Sequence, residues 1–250
     1  MDTAAESKVS GLNWHVLYKV GSAAAWAAAV LTLSEVIFLV FFPQPSGISG
    51  WFQLFQSNRL IGILDFWGLE IPMYAMFALV YLAFCVALGK NNASFMAIAL
   101  MFALLGIGIF FATNNPFLML SLSDQYAAAA TDAQRSALLA AGEAVLANTN
   151  QRAAGGFNMG LFLVSMAGLM VSIAMLRNSI FSRTTAILGI AAHTLALADY
   201  LRQALTPSVL IALLVIIPNA ILLIIWLGMA GRRLYKLGLQ EEKALQKQRA

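Results

Sequence analysis

The chain has 250 residues, of which 61% are hydrophobic and only 10% charged, with a formal net charge of +4. A soluble domain carries roughly a quarter charged residues, so this chain has too little polar material to wet a globular surface. The basic balance does not point to nucleic acid, because most Lys and Arg sit in short segments between long uncharged runs, where membrane orientation signals belong.

No Asp, Glu, Lys or Arg occurs between Lys90 and Asp124, between Arg152 and Arg177, or between Arg202 and Arg232. Each run exceeds the roughly 18–20 apolar residues that cross a hydrocarbon core. None alternates as the strands of a membrane barrel do. The pattern predicts an all-α integral membrane bundle, a single membrane domain over residues 1–250 with six transmembrane helices.

The first span is expected at residues 18–42. Its apolar run from Val20 is broken only by Glu35 and is too long for the apolar core of a signal peptide, so it reads as an uncleaved span. Residues 43–50, "PQPSGISG", read as a turn, since Pro and Gly both resist helix continuation. The second span, 60–88, opens with "DFWGLEIPMY", which carries Asp65 and Glu70 into an apolar stretch, and the third follows at 94–113. A connection over 114–154 contains "TDAQRSALLAAGEAVLA". There Thr131 and Gln134 have capping-box spacing, and Leu138, Leu139, Val145 and Leu146 repeat at seven residues. This predicts an outer amphipathic helix, either a lid over a cavity or a connector covering apolar helix ends. Spans at 155–176, 184–200 and 208–230 complete the set, followed by a solvated tail, 231–250.

With the N-terminus inside, eleven of the 15 Lys and Arg residues fall on the inner side, including "GRRLYK" after the last span. That bias favours cytoplasmic N- and C-termini. Trp14, Tyr18, Trp51, Tyr200 and Tyr235 sit near the expected surfaces, as interfacial aromatics do. The three spans on each side of the long connection are compatible with an inverted repeat, but the halves show no residue-level match. Gly156, Gly160 and Gly168 form a small-residue face, suited to close packing within the bundle or to a homo-oligomer seam, and the Ala-rich first span is a plausible partner for it.

The segment "NNPFLMLSLSDQYAAAATDAQRSALLAAGEAVLA" combines an Asn-Pro turn with an Ala-rich helix ending in "LLAAGEA". With apolar spans on both sides, it resembles an uncharacterised family of bacterial multi-span membrane proteins, known only as a domain of unknown function. The resemblance implies a multi-pass protein of the bacterial inner membrane. It implies no activity and supplies no catalytic residues.

A charged side chain at the centre of a membrane helix costs roughly 2.5–3.5 kcal/mol on insertion scales. The ionisable residues inside spans are therefore the informative ones: Glu35, Asp65, Glu70, His193 and Asp199. At about 1.5 Å of rise per residue, all five fall in the outer half or near the midplane. Asn158 and Asn219 add hydrogen-bonding groups, and Pro72 and Pro218 each free a backbone carbonyl one turn earlier. Together these residues are expected to line an outer-facing acidic cavity, suited to a small cationic solute or a proton. The alternative is that the same groups only tie helices together: Asp199 with Arg202, Asp65 with Arg59 or Arg202, and Glu70 with a tyrosine of its own helical face, where Tyr74, Phe77 and Tyr81 also lie. Enzymatic readings find little support. The sequence has no Ser-centred Gly motif, no His-Glu-x-x-His and no pair of cysteines, Cys85 being alone. It calls for no cofactor.

Overall fold

The structure is a computed structural model and describes residues 14–42, 44–149, 158–205 and 209–249. Helix α1 spans Trp14–Phe41, α2 Gly47–Ser57 and α3 Arg59–Ile63. A π turn over Leu64–Gly68 leads into α4, Glu70–Thr113. Then come α5 (Pro116–Ala128), α6 (Asp132–Thr149), α7 (Met159–Leu176), α8 (Arg183–Leu205) and α9 (Val209–Arg249).

Six stretches are long and apolar enough to cross a membrane: Trp14–Phe38, Arg59–Lys90, Asn92–Ala128, Met159–Leu176, Arg183–Arg202 and Leu214–Gln248. The chain is an all-helical multi-pass membrane protein. Its second and third spans share α4, which bends between them at Asn92 (φ −143°, ψ 39°). Lys90, Asn91 and Asn92 form the polar knot between two apolar arms. The expected last span also runs on: α9 continues as helix through the tail to Arg249 instead of ending near residue 230.

The spans close into a ring. Helix α1 packs on α4 and α9, α9 on α8, α8 on α7, and α7 back on α4. Small residues set the closest approaches. A Cβ at Gly21 would overlap that of Ala83, and one at Gly106 would strike the Gly160 carbonyl. Gly160 and Gly168 are both buried inside this bundle, Gly160 against α4 instead of the Ala-rich first span. Gly156 lies outside the described residues. Where the ring ends opposite the cap described below, Lys19 and Glu242 pair at 2.8 Å and join α1 to α9. Nearby, Arg233 donates to the Ile180 carbonyl.

Helices α2, α3, α5 and α6 pack on one another as a cap at the end where α1 stops and α7 begins. Two of these differ from the expected elements. The turn expected at 43–50 gives way at Gly47 to α2, which buries Ile48, Trp51, Phe52 and Phe55. That spacing is one helical face. The long connection holds two helices, not one. Asn115 accepts from the Phe117 N–H at 3.0 Å and Pro116 takes the first helical position, so the Asn-Pro pair starts α5. The capping box of α6 forms as its spacing requires, with the Gln134 N–H donating to Thr131 Oγ1 and the Thr131 N–H to Gln134 Oε1, both at 3.2 Å. Inside the cap, Ser123 Oγ donates to the Phe52 carbonyl at 3.0 Å and Phe52 meets Tyr126 at 5.2 Å. Arg59 and Asp124 pair at its exposed rim at 2.8 Å.

Candidate functional site

A cavity of about 150 Å³ lies within the ring, in the half nearest the cap. Helix α1 contributes Thr32 and Glu35, and α4 contributes Glu70, Tyr74, Phe77 and Tyr81 along one face. From the other side α7 brings Val164 and Ser165, α8 brings His193, Asp199 and Tyr200, and α9 brings Asn219. The α4 and α7 walls are buried, whereas every half-buried lining residue belongs to α1, α8 or α9, so the cavity opens toward those helices.

The structure therefore brings five of the seven expected residues to one space: Glu35, Glu70, His193, Asp199 and Asn219. It does not bring Asp65 or Asn158. Asp65 is buried in the π turn, away from the lining, and its backbone carbonyl accepts from Gln44 at 3.5 Å. Arg59 pairs with Asp124, and Arg202 with Asp199. Asn158 caps α7. It accepts from the Leu161 N–H at 3.1 Å and donates to Asn114 Oδ1 at 3.0 Å, while Asn114 donates to the Thr149 carbonyl at 3.3 Å. Its polarity is used to fasten a helix end.

The cavity is polarised along its length. Glu35, Glu70 and Asp199 mark its end near the cap. His193 lies six residues below Asp199 on α8, about 9 Å deeper, and Tyr81 lies about 16 Å beyond Glu70 on α4. In the deeper half the donors are directed at backbone carbonyls. Tyr81 donates to Val164 at 3.0 Å, and Asn219 donates to Ala192 at 2.5 Å, tying α9 to α8 beside Pro218. At the other end Asp199 and Arg202 pair at 2.8 Å, both largely buried. Tyr74 shares this lining with Glu35, Glu70 and Tyr200. Among the described residues, three carboxylates thus line the cavity and no Lys or Arg does.

Two lining groups carry polar nitrogens with no hydrogen-bond partner among the described residues, the Trp67 indole N–H and His193 Nε2. Both side chains are more than nine-tenths buried. His193 stands edge-on to Trp226 at 5.0 Å and lies against Gly168. Trp67 is the residue that sequence reasoning missed. Its backbone is left-handed (φ 65°, ψ 8°), and it is the one non-glycine with positive φ among the described residues. A bulky residue held there is an outlier that costs about 1–3 kcal/mol and persists only where its surroundings enforce it. Here they do. Phe66 packs upward between Trp51 (5.1 Å) and Phe55 (6.1 Å) of the cap, while Trp67 meets Phe110 (5.8 Å) and lines the cavity. The break that delivers Glu70 is thus this π turn and not a kink at Pro72, which sits in the first turn of α4, where a missing N–H leaves no bond unmade.

A second, wider groove of about 610 Å³ lies at the opposite end of the bundle, between Trp14, Tyr18, Lys90 and Glu241. It mixes charges of both signs and shares no residue with the first. Among the described residues no three His, Cys, Asp or Glu side chains come together as a metal-holding group. A family model described as "Domain of unknown function (DUF4386)" matches residues 53–231, a stretch that holds every lining carboxylate but Glu35. No curated protein and no solved structure matches the chain.

Proposed function

The chain belongs to that family, a domain of unknown function, and from its cavity we propose that it binds a small cationic or protonatable solute and carries it through the bundle. One observation bears this reading: among the described residues, three carboxylates and no Lys or Arg line a cavity set among membrane-spanning helices. Ionisable groups in such a place are costly and face a bundle interior or a wet cavity when they serve a solute path. One sign of charge within low-dielectric walls raises the local concentration of the opposite sign. The buried α4 and α7 walls form the fixed side, and the half-buried α1, α8 and α9 walls form the side through which a solute enters.

The threading that goes with this role is a bacterial inner-membrane protein with both termini in the cytoplasm, so that the carboxylate end of the cavity faces outward. The distribution of Lys and Arg between loops supports it. A structural reading competes, favoured by Asp199 and Arg202, which already pair within α8.

Uptake of labelled methylammonium into proteoliposomes separates the two. Accumulation above protein-free vesicles that is lost in Glu70→Gln supports a solute path. Uptake equal to protein-free vesicles, with Glu70→Gln altering thermal stability alone, favours the structural reading and removes the proposal.

A further inference from the structure

The cavity's carboxylates are only half of its chemistry. Glu35 and Glu70 stand at one end, and below them the same space is walled by the rings of Tyr74, Phe77 and Tyr81 and by Val164. Tyr74 is stacked on Phe110 at 4.3 Å on one side and meets Phe77 edge-on at 5.3 Å, so the rings form a fixed wall. An alkali ion must shed tightly held water before it can use such a wall, and no metal-holding group of three ligands forms among the described residues. A carbon-bearing cation gains twice. Its N–H groups donate to carboxylate oxygens, and its body lies on aromatic faces, where cation–π attraction contributes about 0.5–2 kcal/mol.

Trp67 adds a further buried ring at the carboxylate end of the same cavity. The volume, about 150 Å³, suits a solute of a handful of heavy atoms.

We propose that the solute is a primary organic ammonium with a short apolar body, its nitrogen between Glu35 and Glu70 and its carbon chain descending along Tyr74 and Phe77. This rests on the solute-binding reading above and names the class of solute. Two of the deeper polar groups, Tyr81 and Asn219, already donate to backbone carbonyls.

The test is calorimetric titration of the full chain in lipid nanodiscs with n-butylammonium, n-butanol and potassium. Binding of n-butylammonium, with n-butanol at least tenfold weaker and no competition from potassium, is the expected result. Tyr74→Leu should weaken n-butylammonium about tenfold, while Tyr74→Phe, which keeps the ring, stays within about twofold. If potassium binds in a manner abolished by Glu70→Gln while n-butylammonium does not bind, this inference falls and the solute-binding role stands. Equal binding of n-butylammonium by the wild type and a folded Tyr74→Leu also overturns it. If neither cation binds, both readings fall together.

Discussion

The edge of the His193 ring lies against Gly168 of α7, so close that one carbon added to the glycine would overlap the ring edge. Helices α7 and α8 approach here as nearly as an imidazole edge and a bare backbone allow. Overpacking a tight interior costs about 1–3 kcal/mol. Gly168→Ala is therefore expected to lower the unfolding midpoint and to push the imidazole into the cavity, weakening n-butylammonium binding. The check is a double-mutant cycle: His193→Ala should restore most of the stability lost in Gly168→Ala, since neighbours that share one space are strongly coupled. Additive losses would show that the two residues do not meet.

Asn158 separates fastening from binding. Its side chain caps α7 and holds Asn114, which in turn reaches the end of α6. Loss of an N-cap costs about 1 kcal/mol, and a buried amide left with an unmet bond adds about 1–3 kcal/mol. Asn158→Ala should therefore lower stability by about 2 kcal/mol, measured by denaturant unfolding in detergent. Among the molecules that remain folded, affinity for n-butylammonium should be unchanged.

Two ion pairs with the same i,i+3 spacing should behave differently. Asp132 and Arg135 stand in the open at the start of α6, with the Asp132 side chain 98% exposed, while the side chains of Asp199 and Arg202 are 7% and 14% exposed. Exposed pairs of this kind contribute little, so Arg135→Ala is expected to leave the unfolding midpoint unchanged. Removing one member of a buried pair costs about 3–5 kcal/mol, and Arg202→Met should fall toward that range. Replacing both partners, with Asp199→Leu added, should recover most of the loss. Equal effects of the two Arg substitutions would contradict the burial difference.

The proposed orientation makes a labelling prediction. In a Cys85→Ser background, a thiol introduced by Arg135→Cys on α6 should react with a membrane-impermeant maleimide on intact cells. One introduced by Lys247→Cys at the far end of α9 should react only after lysis. The reverse pattern would turn the protein over and place the carboxylate end of the cavity on the cytoplasmic side.

Membrane cost made much of this legible from the residues alone. A charge-free run of membrane length has few fates, so the spans stand out, and a carboxylate or imidazole within one is conspicuous because lipid penalises it. Glu35, Glu70, His193 and Asp199 meet at one cavity for that reason: each needs a polar neighbourhood, and the bundle has one at that depth. The same logic overreached at Asn158 and Asp65, because a helix end and a backbone break also supply polar surroundings, and neither shows in a hydropathy profile. Helix α2 was signalled by Ile48, Trp51, Phe52 and Phe55 at helical spacing, but the flanking Pro and Gly residues masked it. The left-handed Trp67 had no signal, since nothing in a tryptophan announces positive φ; only its neighbours on both sides impose it.

Phe66 and Trp67 are adjacent in the chain yet belong to different halves of the molecule, one wedged into the cap and the other walling the cavity. Position 67 thus faces two requirements that pull apart. Glycine or asparagine would accept the left-handed backbone and lose the ring, whereas an aromatic residue keeps the ring and carries the backbone cost. Gly68 is equally confined, since any side chain there would run into the Ile63 carbonyl. A library randomised over this pair should therefore yield few functional replacements, although neither residue carries a charge or performs a reaction. The intolerance would come from the chain's need to turn a corner within one peptide unit.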